Sequence, residues 1–271
     1  MANTYETPDN LVEQLDGAVR AAARTAFYGP SAARIQDISD FEQVPITPLS
    51  IYRRQRLPDL LADPSKVEWI AGPLRGQSDQ VVAAAEGPDE TGTRYELLAD
   101  AVKARLGAEP TLTAVVVTSG RSRQFAAEVA TILTRSGIPA HLLPDPGPAR
   151  TSEFLSATGP KVVVLLSDGI VEDSLPSTTE LCVTFRQSYR MNRVPQLDLY
   201  VLDEVGFMAQ SPDCKSYIPN SDVFYFERSD DGFLVVTSLY NHVRPVIRIK
   251  TKDRVESIGP SLRFVELSRR G

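Results

Sequence analysis

An α/β fold is predicted by three observations in this chain of 271 residues. Continuous apolar runs, AVVV from Ala114 and VVVLL from Val162, alternate with a helical stretch that ends at Gly137. That pattern marks parallel strands covered on both faces. From Asp198 to Val255 the chain becomes a string of short strands, which predicts a more antiparallel C-terminal portion. At the other end, residues 9 to 27 place Leu11, Leu15, Val19 and Ala22 at helical spacing, with acidic residues early and arginine late. This predicts an amphipathic helix that docks as an N-terminal arm.

Composition narrows the function classes. The chain is 42% apolar and 24% charged, as in an ordinary globular protein. No apolar run approaches the roughly 20 residues that span a bilayer, and the opening MANTYETPDNLVEQL lacks a basic-then-apolar leader pattern. The expectation is a cytoplasmic protein without a membrane partner. A net charge of −6 argues against a nucleic-acid surface, so a small molecule or another protein is the expected partner. Cys182, Cys214, His141 and His242 form neither a metal-binding spacing nor a disulfide framework, and both cysteines are read as reduced. Arginine supplies 23 of the 29 basic residues, a composition that suggests a high-GC bacterial source.

Along the chain, the organisation expected is one domain in three parts: a helical leading segment (1–68), an α/β portion (69–197) and a strand-rich portion (198–271). Leu97, Leu98, Ala101, Val102 and Leu106 predict a helix over 93–106, closed by Gly107. Two strand units follow, LTAVVVTSGRSRQFAAEVATILTRSGIPAHLLP and PKVVVLLSDGIVEDSLPS. Ligands in such sheets bind at the carboxyl ends of the strands, here Thr118 to Arg121 and Ser167 to Gly169. The Ser119-Gly120 turn either offers free N–H groups to a phosphate or carboxylate, or is a plain strand-to-helix turn capped by serine. No Gly-x-Gly-x-x-Gly or P-loop lysine accompanies it. Arg186, Arg190 and Arg193 at helical spacing read as a solvated face or as an anion patch. Two alternating runs, Val223 to Glu227 and Phe233 to Ser238, are joined by the turn Asp230-Asp231-Gly232, and a last strand is expected over Val246 to Lys250.

The stretch from Tyr200 to Glu204 (YVLDE), and the strand end from Ile247 to Asp253 (IRIKTKD), carry a family likeness. They resemble the Tyr-Gly-x-x-Glu turn and the Ile-Arg-Tyr-Arg-Thr-Gly-Asp strand end of the adenylate-forming (acyl-CoA synthetase-like) enzymes, specifically their phenylacetate-CoA ligase-like branch. Phe27, Tyr28, Ile35, Phe41, Val44, Pro45 and Thr47 fall where that branch has its leading aromatic pair, short acidic helix and Leu-Pro-(Val/Phe)-Thr-Thr element. Val201 and Lys252 stand in place of family glycines, and Lys250 in place of the second arginine. In place of the hydroxyl-rich phosphate loop the chain has Gly72-Pro-Leu-Arg-Gly76, where Arg75 either rebuilds an anion site or lies in a surface turn. The chain ends at Gly271, so the resemblance implies a cut-down core without the mobile lid that brings the adenylation lysine.

The resemblance implies the fold of the family's large N-terminal domain and roles for individual residues. Tyr200 would stack on adenine, Asp253 would hold the ribose hydroxyls and Glu204 would help bind Mg2+ beside ATP phosphates. Arg248 and Lys250 would complete the nucleotide contacts, joined by Ser119 and Gly120 if their strand-to-helix turn holds a phosphate, with ATP or AMP as cofactor and coenzyme A as a further one. Both hard-cation binding by a carboxylate and diol recognition by a carboxylate fit those residue types. His242, just before the arginine strand, is either packed or the general base of an acyl transfer. Cys214 as nucleophile lacks a histidine neighbour in sequence.

The leading expectation is activation or transfer of a small, aromatic carboxylic or acyl group, with a carboxylic acid or acyl thioester as substrate and an acyl carrier or enzyme as protein partner. The alternatives are an ATP-independent acyltransferase or thioester hydrolase, and a non-catalytic acyl- or nucleotide-binding remnant that scaffolds a partner.

Overall fold

The computed structural model describes residues 9–29, 34–71, 84–106, 113–118, 123–144, 147–166, 172–185 and 191–267. The chain opens with helix α1 (Leu11–Ala22), then α2 (Ile38–Glu42), the two-residue strand β1 (Thr47–Pro48), α3 (Leu49–Tyr52) and α4 (Leu57–Leu60). Strands β2 (Trp69–Ala71) and β3 (Ala84–Glu86) form a small antiparallel ribbon ahead of α5 (Pro88–Leu106). The middle alternates as predicted: β4 (Ala114–Thr118), α6 (Arg123–Arg135), β5 (Ala140–Pro144), α7 (Pro148–Thr158), β6 (Val162–Leu166) and β7 (Leu181–Phe185). The remainder is β8 (Gln196–Leu202), β9 (Gly206–Ser211), β10 (Ser216–Pro219), β11 (Phe224–Arg228), β12 (Phe233–Ser238), β13 (Ile249–Ser257) and β14 (Leu262–Glu266).

These strands join in one sheet, ordered β11-β12-β13-β14-β10-β9-β8-β7-β6-β4-β5, with β1 added beside β13. Pairings from β5 to β8 are parallel, and those from β8 to β11 are antiparallel. The parallel strands are apolar on both faces because each face meets a different core. Ala114, Val116, Val162 and Val164 pack with α5 and α6, while Val115, Val117, Val163 and Leu165 pack with Leu155 of α7.

Strand β8 is the seam between the halves and is buried along its whole length. Its Leu197, Leu199 and Val201 face the parallel-sheet core, whereas Tyr200 and Leu202 face the aromatic core of the antiparallel half. The leading segment closes that second core. Leu49, Tyr52 and Leu60 lie in it, with Phe27 and Tyr28 against its edge, and α1 covers Tyr225, Leu239 and Ile247. The N-terminal arm therefore docks as its amphipathic pattern predicts.

Two expectations are corrected by the backbone. The helix over 93–106 begins earlier, at Pro88, because proline is accommodated in a first helical turn. The last strand begins at Ile249 and runs to Ser257 instead of spanning Val246 to Lys250. Arg248 adopts φ +46, a left-handed kink that stops any strand from running straight through it. Asp253 consequently lies in mid-strand, with its side chain turned inward. The hairpin of β11 and β12 turns as expected at Gly232, whose φ of +84 is the conformation that favours glycine.

Candidate functional site

The residues singled out at 200–204 and 247–253 meet through the seam. Tyr200 projects from β8 and Asp253 from β13, and the Tyr200 hydroxyl donates to Asp253 Oδ2 at 2.6 Å. Asp253 also donates its own backbone N–H to Thr251 Oγ1 at 3.1 Å. The Tyr200 ring lies among Tyr217 and Phe264, with centroids 6.0 and 4.8 Å away. Tyr200 is 0% and Asp253 1% exposed, so the pair is built into the core.

Glu204 occupies the turn between β8 and β9, which Gly206 closes at φ +108. A Cβ there would stand 3.0 Å from the Tyr240 hydroxyl, so a side chain at this position would crowd the turn as well as strain it. The Glu204 carboxylate accepts from Arg53 at both oxygens, Nε to Oε1 and Nη2 to Oε2, the latter at 3.2 Å. Its carbonyl accepts from Nη2 of the buried Arg244, whose Nη1 donates to the Tyr52 hydroxyl at 3.3 Å. Arg53 is placed by the leading segment: β1 pairs in parallel with β13, Thr47 opposite Ile249, and α3 then carries the chain to Arg53. Burial works against the charge on Arg53, but Glu204, Asp203 and Asp253 outweigh it and raise the guanidinium pKa.

A second buried group adjoins the first. Arg94 of α5 lies 3.0 Å from Glu86 of β3 and 2.8 Å from Glu128 of α6, and all three are nearly fully buried. Among the described residues, neither Glu86 Oε2 nor either Glu128 oxygen makes a hydrogen bond, although Glu128 Oε1 lies 2.8 Å from Arg94 Nη2. Burial pushes the Glu128 carboxyl up to about 7, against the pull of Arg94 and with added repulsion from Glu86 and Asp203. Asp203 acts on both Arg53 and Glu128, so the two groups form one acid-rich band beside the seam.

The other candidates lie elsewhere. Arg248, expected to touch nucleotide, instead grips Glu227 at 3.1 and 2.8 Å and donates to the carbonyls of Glu42 and Val44, tethering the leading segment to the sheet. Lys250 pairs with Asp231 of the hairpin turn at 3.0 Å. His242 keeps one side exposed while its Cε1 stands 3.7 Å from where a Cβ on Gly17 of α1 would be, and its backbone N–H donates to Glu90 Oε1 at 3.2 Å. Burial lowers the His242 pKa from 6.5 against the charge of Glu90, with Arg24 adding to the depression. Ser119, Gly120, the 72–76 loop, Ser167 to Gly169, Arg186 and Arg190 lie outside the described residues. Arg193 is not on a helix; it sits in the loop before β8 and pairs with Asp173. Neither Cys182, which is buried, nor Cys214 is joined in a disulfide.

The metal role implied for Glu204 does not fit these residues. Its side chain is 0% exposed and both oxygens are taken by Arg53. Among the described residues, no group of three or more His, Cys, Asp and Glu is arranged to hold a metal ion. Among those residues, too, no helix is long and apolar enough to cross a membrane.

Architecture of this kind, a parallel half running through a seam strand into an antiparallel half, is that of the adenylate-forming ligases. Solved structures of 2-hydroxyisobutyryl-CoA ligase with its acyl-AMP and CoA match 93% of this chain and 67% or 65% of their own, at 16% identity and a TM-score of 0.69. The amide bond synthetase McbA from Marinactinospora thermotolerans matches 75% of this chain and 49% of its own, at 16% identity and TM-score 0.51. VinN, solved with L-aspartate, matches 75% of this chain and 61% of its own, at 14% identity and TM-score 0.50. The chain thus spans between half and two thirds of the length of these neighbours, and the likeness is one of fold. No protein-family model and no curated protein matches the sequence.

Proposed function

We propose that this chain handles a small carboxylic acid as its acyl-adenylate, in the manner of an adenylation core, with the acid of the aromatic class that the phenylacetate-CoA ligase-like resemblance implies. The observation that carries the reading is the meeting of Tyr200, Asp253 and Glu204 around one seam strand, in a fold whose solved neighbours include a ligase bound to acyl-AMP and CoA. In this reading Asp253 is the diol acceptor, Tyr200 orients it, and Arg53 fixes the turn that carries Glu204. The adenine base, in this reading, would displace the packing of Tyr217 and Phe264 against Tyr200. Coenzyme A or a carrier-bound thiol is the acceptor class that suits an acyl-adenylate.

A second reading, a ligand-binding core without turnover, is favoured by the full engagement of all three matched side chains within the protein. Isotope exchange between pyrophosphate and ATP, run with a panel of aromatic and short aliphatic acids, separates the two. Acid-dependent exchange establishes activation. Binding of AMP in calorimetry without exchange establishes the second reading, and neither exchange nor binding refutes both.

A further inference from the structure

We infer that Arg53 is the resident cation of the Tyr200–Glu204–Asp253 site, and that the site takes an adenylate of low charge without a divalent metal. The ligand part of this inference rests on the function proposed above; the cation part does not. Two neutralisers are available to a buried carboxylate at such a turn, a metal ion or a basic side chain, and the first needs open coordination positions. Glu204 has none: its two oxygens are bonded to the guanidinium and its side chain is 0% exposed. Arg53, by contrast, keeps 15% of its side chain exposed, so it is not sealed in the core as Glu204 is. Its charge also lies within reach of Asp203 and Asp253. The cation is therefore supplied by the chain itself, positioned by β1 pairing with β13.

Charge then selects the ligand. Glu86, Glu128, Asp203, Glu204 and Asp253 outnumber the arginines in the band. Such a field repels a metal-free triphosphate far more than a monophosphate or the singly charged phosphodiester of an acyl-adenylate. An acyl-adenylate or AMP is thus the ligand class, and ATP the poorer one.

The experiment has a metal arm and a nucleotide arm. In the first, Mn2+ is titrated into the protein alone and bound ion is read by electron paramagnetic resonance. The expected result is no bound Mn2+ in wild type; bound Mn2+ that disappears in Glu204→Gln overturns the inference, whatever nucleotides do. In the second, calorimetry measures AMP and ATP with Mg2+ and with EDTA. The expected results are AMP affinity that changes less than about twofold between the two, and ATP at least about tenfold weaker than AMP in EDTA. Arg53→Met, which keeps the apolar stem, should weaken AMP by about tenfold or more, while Glu204→Gln leaves it equal or tighter because the guanidinium is released. A metal site requires the opposite order, with Glu204→Gln the damaging change. AMP binding that needs Mg2+ overturns the inference and leaves the functional proposal standing. Absence of any nucleotide binding overturns the functional proposal and the ligand part together, and the cation part is then decided by Mn2+. Melting curves identify a variant that fails to fold, in which case the wild-type metal dependence decides.

Discussion

Replacing Glu128 by glutamine should stabilise the protein above neutral pH and leave it unchanged in acid. The reasoning starts from two buried carboxylates sharing Arg94, with Glu128 Oε1 2.8 Å from Arg94 Nη2 and Glu128 Oε2 without a hydrogen-bond partner among the described residues. Burial raises the Glu128 carboxyl from 4.5 to about 7. A carboxyl held above its unfolded value binds its proton more tightly in the fold. Below pH 4.5 both states are protonated and no cost arises; between 4.5 and about 7 stability falls as pH rises; above about 7 the full cost is present. That cost is about 3 kcal/mol, from 1.36 kcal/mol for each tenfold change in proton affinity. The amide of Glu128→Gln imitates the protonated acid without adding a charge. Urea unfolding of both proteins between pH 5 and 8.5 should give a difference below about 1 kcal/mol at the acid end. It should grow to about 3 kcal/mol in favour of the variant at the alkaline end. Subtracting the two curves cancels the titrating groups that do not interact with Glu128. A variant less stable than wild type at pH 8, or a difference that does not vary with pH, would show that Glu128 is ionised and well paired, and the reasoning would fail.

Arg248→Ala removes the grip on Glu227 and the tether to the carbonyls of Glu42 and Val44. It should cost about 3 to 5 kcal/mol, since a buried carboxylate is left alone, and limited proteolysis should then cut within residues 42–48 sooner than in wild type. Tyr200→Phe deletes the 2.6 Å bond to Asp253 and should cost about 1 to 3 kcal/mol in urea unfolding; an unchanged midpoint would mean that the bond contributes nothing net. Asp203→Asn removes a charge that repels the ionised Glu128, so the window of pH-dependent stability described above should move to lower pH. If that window stays in place, Asp203 and Glu128 are not coupled.

Much of the fold could be read from residue pattern because burial leaves a period in the sequence. The VVV runs, the Asp-Asp-Gly turn and the α1 stripe each correspond to an element whose packing explains them. The long-range pairing of the leading segment with the region after residue 198 was legible through two resemblances in the right order, and the structure realises it in the Tyr28 hydroxyl on Ile247 and in the β1–β13 ladder. The charged band was not read. A lone charge carries no period of its own, and surface charges are the ordinary case. A signal was nevertheless present: Glu90 and Arg94 stand eight and four residues before Leu98 on the buried stripe of α5, and Glu128 falls between Phe125 and Ile132 on that of α6. Charges at apolar positions of a helical stripe mark buried ions. Arg53 had no such mark, because it follows a single helical turn that offers no stripe to violate. Arg248 and Glu204 were found, but their partners decided what they do.

A buried ion pair is a weak device for stability, since apolar replacements of similar volume often serve as well or better. The band of Glu86, Arg94, Glu128, Asp203, Arg53 and Glu204 is therefore poorly explained as a brace. It does connect parts that no single apolar cluster joins. Glu86 belongs to the small ribbon, Arg94 and Glu128 to the helices on the parallel half, Asp203 and Glu204 to the turn at the seam, and Arg53 to the leading segment. A negative group arriving beside Arg53 would weaken its hold on Glu204 and deepen the repulsion on Glu128, favouring proton uptake there. If the seam binds the adenylate proposed above, that binding is linked to the protonation of Glu128, whose carboxyl is pushed up to about 7. Such a link would give the buried charges a role that packing alone does not supply.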